Sequence, residues 1–258
     1  MDNLTRFKQQ IGEYRLEGCK LGEGSDLAIC LPGFSLSGEW MARHYPALWT
    51  GKCCYFLDWP GLGDESLDST PFDINIISEW VKMLVHDKKP DNIWLVCHSF
   101  GARVACRLLV ETPFAGHLIL IAPVTEMNLR ESFIRVIPSK LYNVLVRYML
   151  SKKRLGRILN MAKKTGILNV QEYSFLSEFS KNDKLNAYLI HYALVIPRLE
   201  VSTLMMNKLL GSLYECLIFL FEKDMLCNNK YWHNIAKKHT NIEVRSLKGS
   251  HFTRISKV

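Results

Sequence analysis

Eight cysteines occur in the 258 residues, yet no two form a C-x-x-C pair. That absence argues against a zinc site or a thioredoxin-like redox centre. The first ten residues, Met1 to Gln10, contain no apolar stretch of the kind a secretion signal needs. The expectation is therefore a cytoplasmic protein with reduced thiols, and Cys53-Cys54, inside an apolar run, reads as core. The longest apolar runs, Leu118 to Val124 and Cys216 to Phe221, are too short to cross a bilayer and have the length of buried strands. No transmembrane segment is expected. Internal repeats, low-complexity tracts and Pro/Gly-rich linkers are all missing. What remains has ordinary globular proportions, 48% hydrophobic and 22% charged. The length suits one large α/β domain or two small ones.

The net charge of +8 is unevenly placed. Residues Thr125 to Leu210 carry fourteen Lys and Arg against six Asp and Glu, while the rest of the chain carries nineteen of each. The whole excess lies in one segment. This points to an acidic partner or an anionic surface touching that segment; no nucleic-acid partner is expected.

Short apolar runs mark strands at Leu27 to Leu31, Cys53 to Leu57, Ile93 to Cys97, Leu118 to Ala122 and Cys216 to Phe221. Ile242 to Leu247 alternates apolar and polar, as a more exposed strand does. Helical spacing appears at Ile74 to His86, Ala102 to Val110 and Lys230 to His239. Strands that alternate with helices and are apolar on both faces predict an α/β fold, a mostly parallel central sheet with helices on both faces. Between Thr125 and Leu210 the rhythm changes. Leu129 to Met149, Lys153 to Lys164, Val170 to Ser180 and Lys184 to Ile196 are amphipathic and helical, with Pro138 breaking or kinking the first. The reading is a core of residues 1–124 and 211–258 with an all-helical cap insertion, 125–210.

The sharpest motif is Trp94-Leu95-Val96-Cys97-His98-Ser99-Phe100-Gly101-Ala102. An apolar strand runs into His-Ser-Phe-Gly and then directly into a helix. This is the form of a nucleophile elbow, whose usual pattern is G-x-S-x-G. The tight turn lifts the Ser99 oxygen clear of the sheet, and the helix aims its N-terminal amides at the same place, where they favour an anion. Cys97 replaces the first Gly, a modest enlargement.

A serine that attacks a carbonyl needs donors for the oxyanion, a base and an acid. The amide of Phe100 follows the nucleophile. The amide of Phe34, turned by Gly33 after the first apolar run, is the candidate second donor. His251 stands just after the last strand and is the candidate base; His98, beside Ser99 on a sharp turn, points away and supports the site instead. Asp224 follows the preceding strand and is the candidate acid, with Glu222 and then Glu126 as alternatives.

Leu31-Pro32-Gly33-Phe34, Asp58-Trp59-Pro60-Gly61-Leu62-Gly63-Asp64-Glu65-Ser66, Cys97-His98-Ser99-Phe100-Gly101, Phe221-Glu222-Lys223-Asp224 and Gly249-Ser250-His251-Phe252 together resemble the α/β-hydrolase family, in the family's order and across nearly the whole chain. Two departures are Pro32-Gly33 for the usual His-Gly and Cys97 for the elbow's first Gly. The resemblance implies a serine carboxylesterase-like enzyme that cleaves a small-molecule ester or thioester through a Ser-His-Asp triad and an acyl-enzyme, without metal or cofactor. A basic cap suits an acyl group on an acidic acyl carrier protein, the substrate form of the family's pimeloyl-acyl-carrier-protein methyl esterases. Its candidate contacts are Arg130, Arg135, Arg147, Arg154 and Arg157, though Lys152-Lys153-Arg154 equally suits anionic lipid. A lyase or C–C bond hydrolase of the same fold, or a non-catalytic binding protein, are the competing readings.

Overall fold

The computed structural model describes residues 3–62, 72–111, 116–124, 138–166, 170–195, 199, 201 and 215–256. Its contacts divide the chain into two compact units, Met1–Glu126 with Val201–Val258, and Met127–Glu200.

The first unit is built on an eight-stranded sheet: β1 (Thr5–Ile11), β2 (Tyr14–Leu21), β3 (Asp26–Leu31), β4 (Lys52–Leu57), β5 (Ile93–His98), β6 (His117–Ile121), β7 (Glu215–Phe221) and β8 (Ile242–Leu247), in the order β1-β2-β4-β3-β5-β6-β7-β8. β2 runs antiparallel to both of its neighbours, β1 and β4, and every other pairing is parallel. The central strands are apolar and buried almost throughout; β8, at the edge, is mostly half-exposed. The helices of this unit are α1 (Gly38–His44), α2 (Ile74–Lys88), α3 (Phe100–Glu111) and, between β7 and β8, one over Asn229–Ala236. The chain steps one way along the sheet through α1 and the other way through the remaining three. Right-handed crossovers therefore put α1 on one face and those three on the other.

The β1–β2 hairpin and α1 were not expected from the sequence. β1 is mostly polar and exposed. β2 buries Glu17, a residue that hides a strand from any search for apolar runs, and the Lys8 ammonium stands 3.0 Å from it.

Reversal of direction at β3 opens a crevice at the carboxyl ends of β3 and β5, where ligands bind in open α/β sheets. Leu31 and Cys97 are register partners across those strands. The loop after β3 and the turn after β5 are thereby brought side by side.

In the second unit, α4 (Ser139–Met149), α5 (Lys152–Lys164), α6 (Val170–Lys181) and α7 (Asp183–Val195) pack on one another. α4 starts directly after Pro138; the expected helical stretch before it, 129–137, lies outside the described residues. The Tyr142 hydroxyl donates to the Ala193 carbonyl at 2.7 Å, and the Asn186 amide donates to the Leu150 carbonyl at 2.9 Å. The helix after β7 is α8 in chain order. Among the described residues, no helix is long and apolar enough to cross a membrane.

Candidate active site

Ser99 sits between the last residue of β5 and the first of α3, with φ at 50°. That left-handed conformation is unfavourable for a residue with a Cβ. It is held from both sides: the Ser99 amide donates to the Ile121 carbonyl at 2.9 Å, and the Ala102 amide donates to the Ser99 carbonyl at 3.1 Å. Gly101 is required here. A Cβ on it would lie 2.1 Å from the Leu31 carbonyl oxygen, so α3 can approach β3 only through a bare backbone. Cys97, on the other side of the turn, is fully buried.

Asp224 follows β7 and His251 follows β8, at the same end of the sheet as Ser99. Their loops are tied together by the Lys223 amide, which donates to the Gly249 carbonyl at 2.9 Å. The result is a continuous chain of hydrogen bonds. Asp224 Oδ2 is 2.7 Å from His251 Nδ1, and His251 Nε2 is 2.7 Å from Ser99 Oγ. A carboxylate can only accept, so Nδ1 carries the proton and Nε2 is left to accept from the Ser99 hydroxyl. This is the tautomer that can take a proton from serine.

Burial acts to raise the Asp224 carboxyl, but the His251 imidazole and the Leu226 and Cys227 amides, which donate to Oδ1 at 2.8 and 3.0 Å, outweigh it and bring it below its usual range. Asp224 therefore stays ionised beside the imidazole. Glu222 is exposed on the same loop. Glu126, the third alternative acid, lies outside the described residues.

His98 is completely buried, and its Nε2 donates to the His251 carbonyl at 3.0 Å, fixing the backbone that presents the imidazole. The two rings are 5.0 Å apart. Burial first, and the charge of His251 second, push the His98 imidazole down to about 3, so it stays neutral. Gly33 leaves room for it: a Cβ there would stand 2.5 Å from His98 Nδ1. An unfolded histidine titrates near 6.5. Between about 3 and 6.5 the unfolded chain holds a proton that folded His98 does not, so its contribution is complete above pH 6.5 and is lost as pH falls. Urea unfolding should accordingly weaken by up to about 1.4 kcal/mol per pH unit below 6.5 from this residue. The slope should flatten in His98→Gln; an unchanged slope would show that His98 is not held neutral.

Phe100 opens α3, where the amides point out along the helix axis. The Phe34 ring meets the Phe100 ring edge-on, with centroids 6.4 Å apart. The loop carrying Phe34 is pinned by Trp59. Its indole N–H donates to the carbonyls of Pro32 and Gly33 at 3.1 and 3.2 Å, and its ring packs on Phe100 at 5.3 Å. Among the described residues there is no cis peptide. With the Gly33 carbonyl turned to the indole, the Phe34 amide of the same peptide unit faces the opposite way. Asp58 supports the far end of this loop, accepting from the Gly38 amide and from Arg6 Nη1, each at 2.7 Å. In the sequence, Trp59 stands out only as part of the family-like Asp58 to Ser66 segment; that it aims a particular peptide is visible only in the tertiary contacts.

All eight cysteines are buried and free. Burial raises the thiols of Cys19, Cys54 and Cys106 to about 12 and that of Cys97 well above its ordinary value, so none of these is a thiolate nucleophile. Of the arginines named as candidate contacts, Arg147 and Arg157 are exposed and Arg154 is half-buried on α5; Arg130 and Arg135 lie outside the described residues.

The sequence profile of the alpha/beta hydrolase family matches residues 28–191. The chain belongs to that family, and this membership supports a hydrolase. No curated protein matches the sequence significantly. Solved structures share the fold at low identity. The haloalkane dehalogenase DbeA from Bradyrhizobium elkani USDA94 has a TM-score of 0.67 at 14% identity, covering 97% of this chain and 92% of that one. The thioesterase domain from the curacin biosynthetic pathway has a TM-score of 0.63 at 14% identity, covering 96% and 94%. A serine hydrolase from the polyaromatic-hydrocarbon-degrading bacterium Cycloclasticus zankles has a TM-score of 0.62 at 14% identity, covering 97% and 92%. At such identities the likeness establishes the fold alone.

Proposed function

We propose that the protein is a serine hydrolase that cleaves carboxylic esters or thioesters. The observation that carries this reading is the unbroken Ser99–His251–Asp224 hydrogen-bond chain, with serine held on a strained elbow. His251 Nε2 takes the hydroxyl proton as Ser99 Oγ bonds to the acyl carbon, and the carbonyl electrons move to oxygen. The amides of Phe34 and Phe100 stabilise that oxyanion. Its collapse breaks the bond to the alcohol or thiol, which leaves with the proton from His251. Water, deprotonated by His251, then cleaves the acyl-Ser99 ester.

A serine at the elbow also favours acyl transfer over dehalogenation, because a halide-displacing nucleophile leaves an ester that a carboxylate can form and a hydroxyl cannot. The test is turnover of p-nitrophenyl esters and acyl thioesters of graded chain length beside a haloalkane and an epoxide. Ester or thioester turnover with a chain-length optimum is expected. Turnover of only the haloalkane or epoxide would overturn the reading. The narrower form, an acyl group delivered on an acidic carrier protein, would use the cations of α4 and α5 and so competes with the surface contact inferred below.

Trp59 is a positioning residue in this scheme. Trp59→Phe keeps the ring but loses the N–H that orients the Gly33–Phe34 peptide. The expected result is a fall of about tenfold in kcat with KM little changed, less than the loss of a whole oxyanion donor. A change in KM alone would contradict that role.

A further inference from the structure

The hairpin formed by α4 and α5 has a composition that the hydrolytic chemistry does not require. From residue 138 to residue 166 the chain carries eight Lys and Arg and no Asp or Glu. This short segment contains as much net positive charge as the whole protein. One pair is partly spoken for: Lys152 bonds to Asp183 on α7 at 2.7 Å.

The same hairpin exposes large apolar side chains in an ordered array. On α4, Leu141, Val144, Leu145 and Tyr148 recur at three- and four-residue spacing and therefore share one face. They are 52, 63, 42 and 52% exposed, while Val146 on the opposite face is buried. α5 turns the other kind of surface outward. Leu155 and Leu159 are buried against the unit, and Lys153, Arg157 and Lys164 are exposed. Met161, 67% exposed, borders those cations. The two faces are joined where the Arg154 guanidinium stacks over the Tyr148 ring, 3.3 Å from its centroid. An apolar strip on one helix thus adjoins a cationic strip on the next.

We infer that the α4–α5 hairpin is a docking surface for an anionic lipid bilayer. A negatively charged membrane offers both things this surface lacks: headgroup charge for Lys153, Arg157 and Lys164, and an acyl layer beneath for Val144, Leu145 and Tyr148. An acidic carrier protein would satisfy the cations. It would leave the apolar strip needing a matching strip of its own, and an exposed apolar patch of this kind marks an interaction site in itself. The arrangement is that of a peripheral, reversible contact, with charge bringing the protein to the surface and shallow apolar insertion holding it there.

The test is co-sedimentation of the full chain with vesicles of phosphatidylcholine alone, or with about 30 mol% phosphatidylglycerol. Binding should require the anionic lipid and should be lost at high salt. Lys153→Glu/Arg157→Glu should weaken it at least tenfold, since each cation near such a surface counts for roughly a fivefold change. Val144→Ser/Leu145→Ser, which alters no charge, should weaken it as well, with unchanged circular dichroism. Ser99→Ala should bind as the parent does, which separates this inference from the proposed hydrolysis. Failure to bind anionic vesicles, or equal binding by the charge-reversed variant, would overturn it. So would association with a purified acyl carrier protein, through the same residues, in place of vesicles.

Discussion

Ser99→Ala should lower kcat on the best ester or thioester by about a millionfold while leaving the protein folded. In the proposed reaction the Ser99 hydroxyl carries the acyl group between the two halves. Its removal leaves His251 and Asp224 hydrogen-bonded at 2.7 Å and costs no apolar packing. The backbone strain at φ 50° is unchanged, because alanine meets the same left-handed conformation as serine there. Urea unfolding should therefore shift little. What remains after the substitution is the contribution of the Phe34 and Phe100 amides and of substrate binding, roughly a thousandfold or more over water. A variant that kept a tenth of the parental rate would remove Ser99 from the mechanism.

Asp224→Asn should cost about ten-thousandfold in kcat, with substrate binding nearly intact. The reason is a tautomer. Asp224 Oδ2 accepts from His251 Nδ1, and this leaves Nε2 with a lone pair aimed at Ser99 Oγ. An asparagine amide nitrogen at that position donates instead. Nδ1 must then accept, the proton moves to Nε2, and the ring can no longer receive one from serine. The other carboxyl oxygen is not disturbed, because an amide oxygen can still accept from Leu226 and Cys227 as Oδ1 does. The loop should keep its shape, and the loss should appear in kcat with unfolding little changed. A loss of less than tenfold would mean that another group, Glu222 or Glu126, orients His251.

Much of this arrangement was legible in the sequence because a parallel sheet imposes its own pattern. β3 to β7 are buried on both faces, so each reads as a short uninterrupted apolar run, and β8 at the edge reads as an alternating one. Loops after such strands all emerge at one end, which is why Ser99, Asp224 and His251 could be paired across more than a hundred residues. The β1–β2 hairpin broke the rule. Glu17 is buried there, beside Lys8 and Arg6 in contacts that no local pattern reveals. α1, seven residues long, is too short for helical periodicity to register.

At the site itself, sequence reasoning named Ser99, Asp224 and His251 as candidates, which stand in one hydrogen-bond chain, and expected His98 in support. It could not say how. His98 acts through the carbonyl of a residue 153 positions away, and Trp59 through carbonyls 26 and 27 positions away. The Trp59 contacts follow from β3 and β4 being neighbours, and the His98 contact from the loop after β8 lying at the same end of the sheet as the end of β5; neither follows from spacing along the chain. The basic segment was legible as charge alone. Only the structure shows that Leu141, Val144, Leu145 and Tyr148 stand exposed beside it.

The most direct test of the account is intact-mass analysis after exposure to a fluorophosphonate, followed by peptide mapping, in the parent protein and in Ser99→Ala. The account predicts one adduct, located on Ser99, formed in the parent and absent from the variant. An unmodified parent protein, or an adduct that persists in Ser99→Ala on another residue, would contradict it.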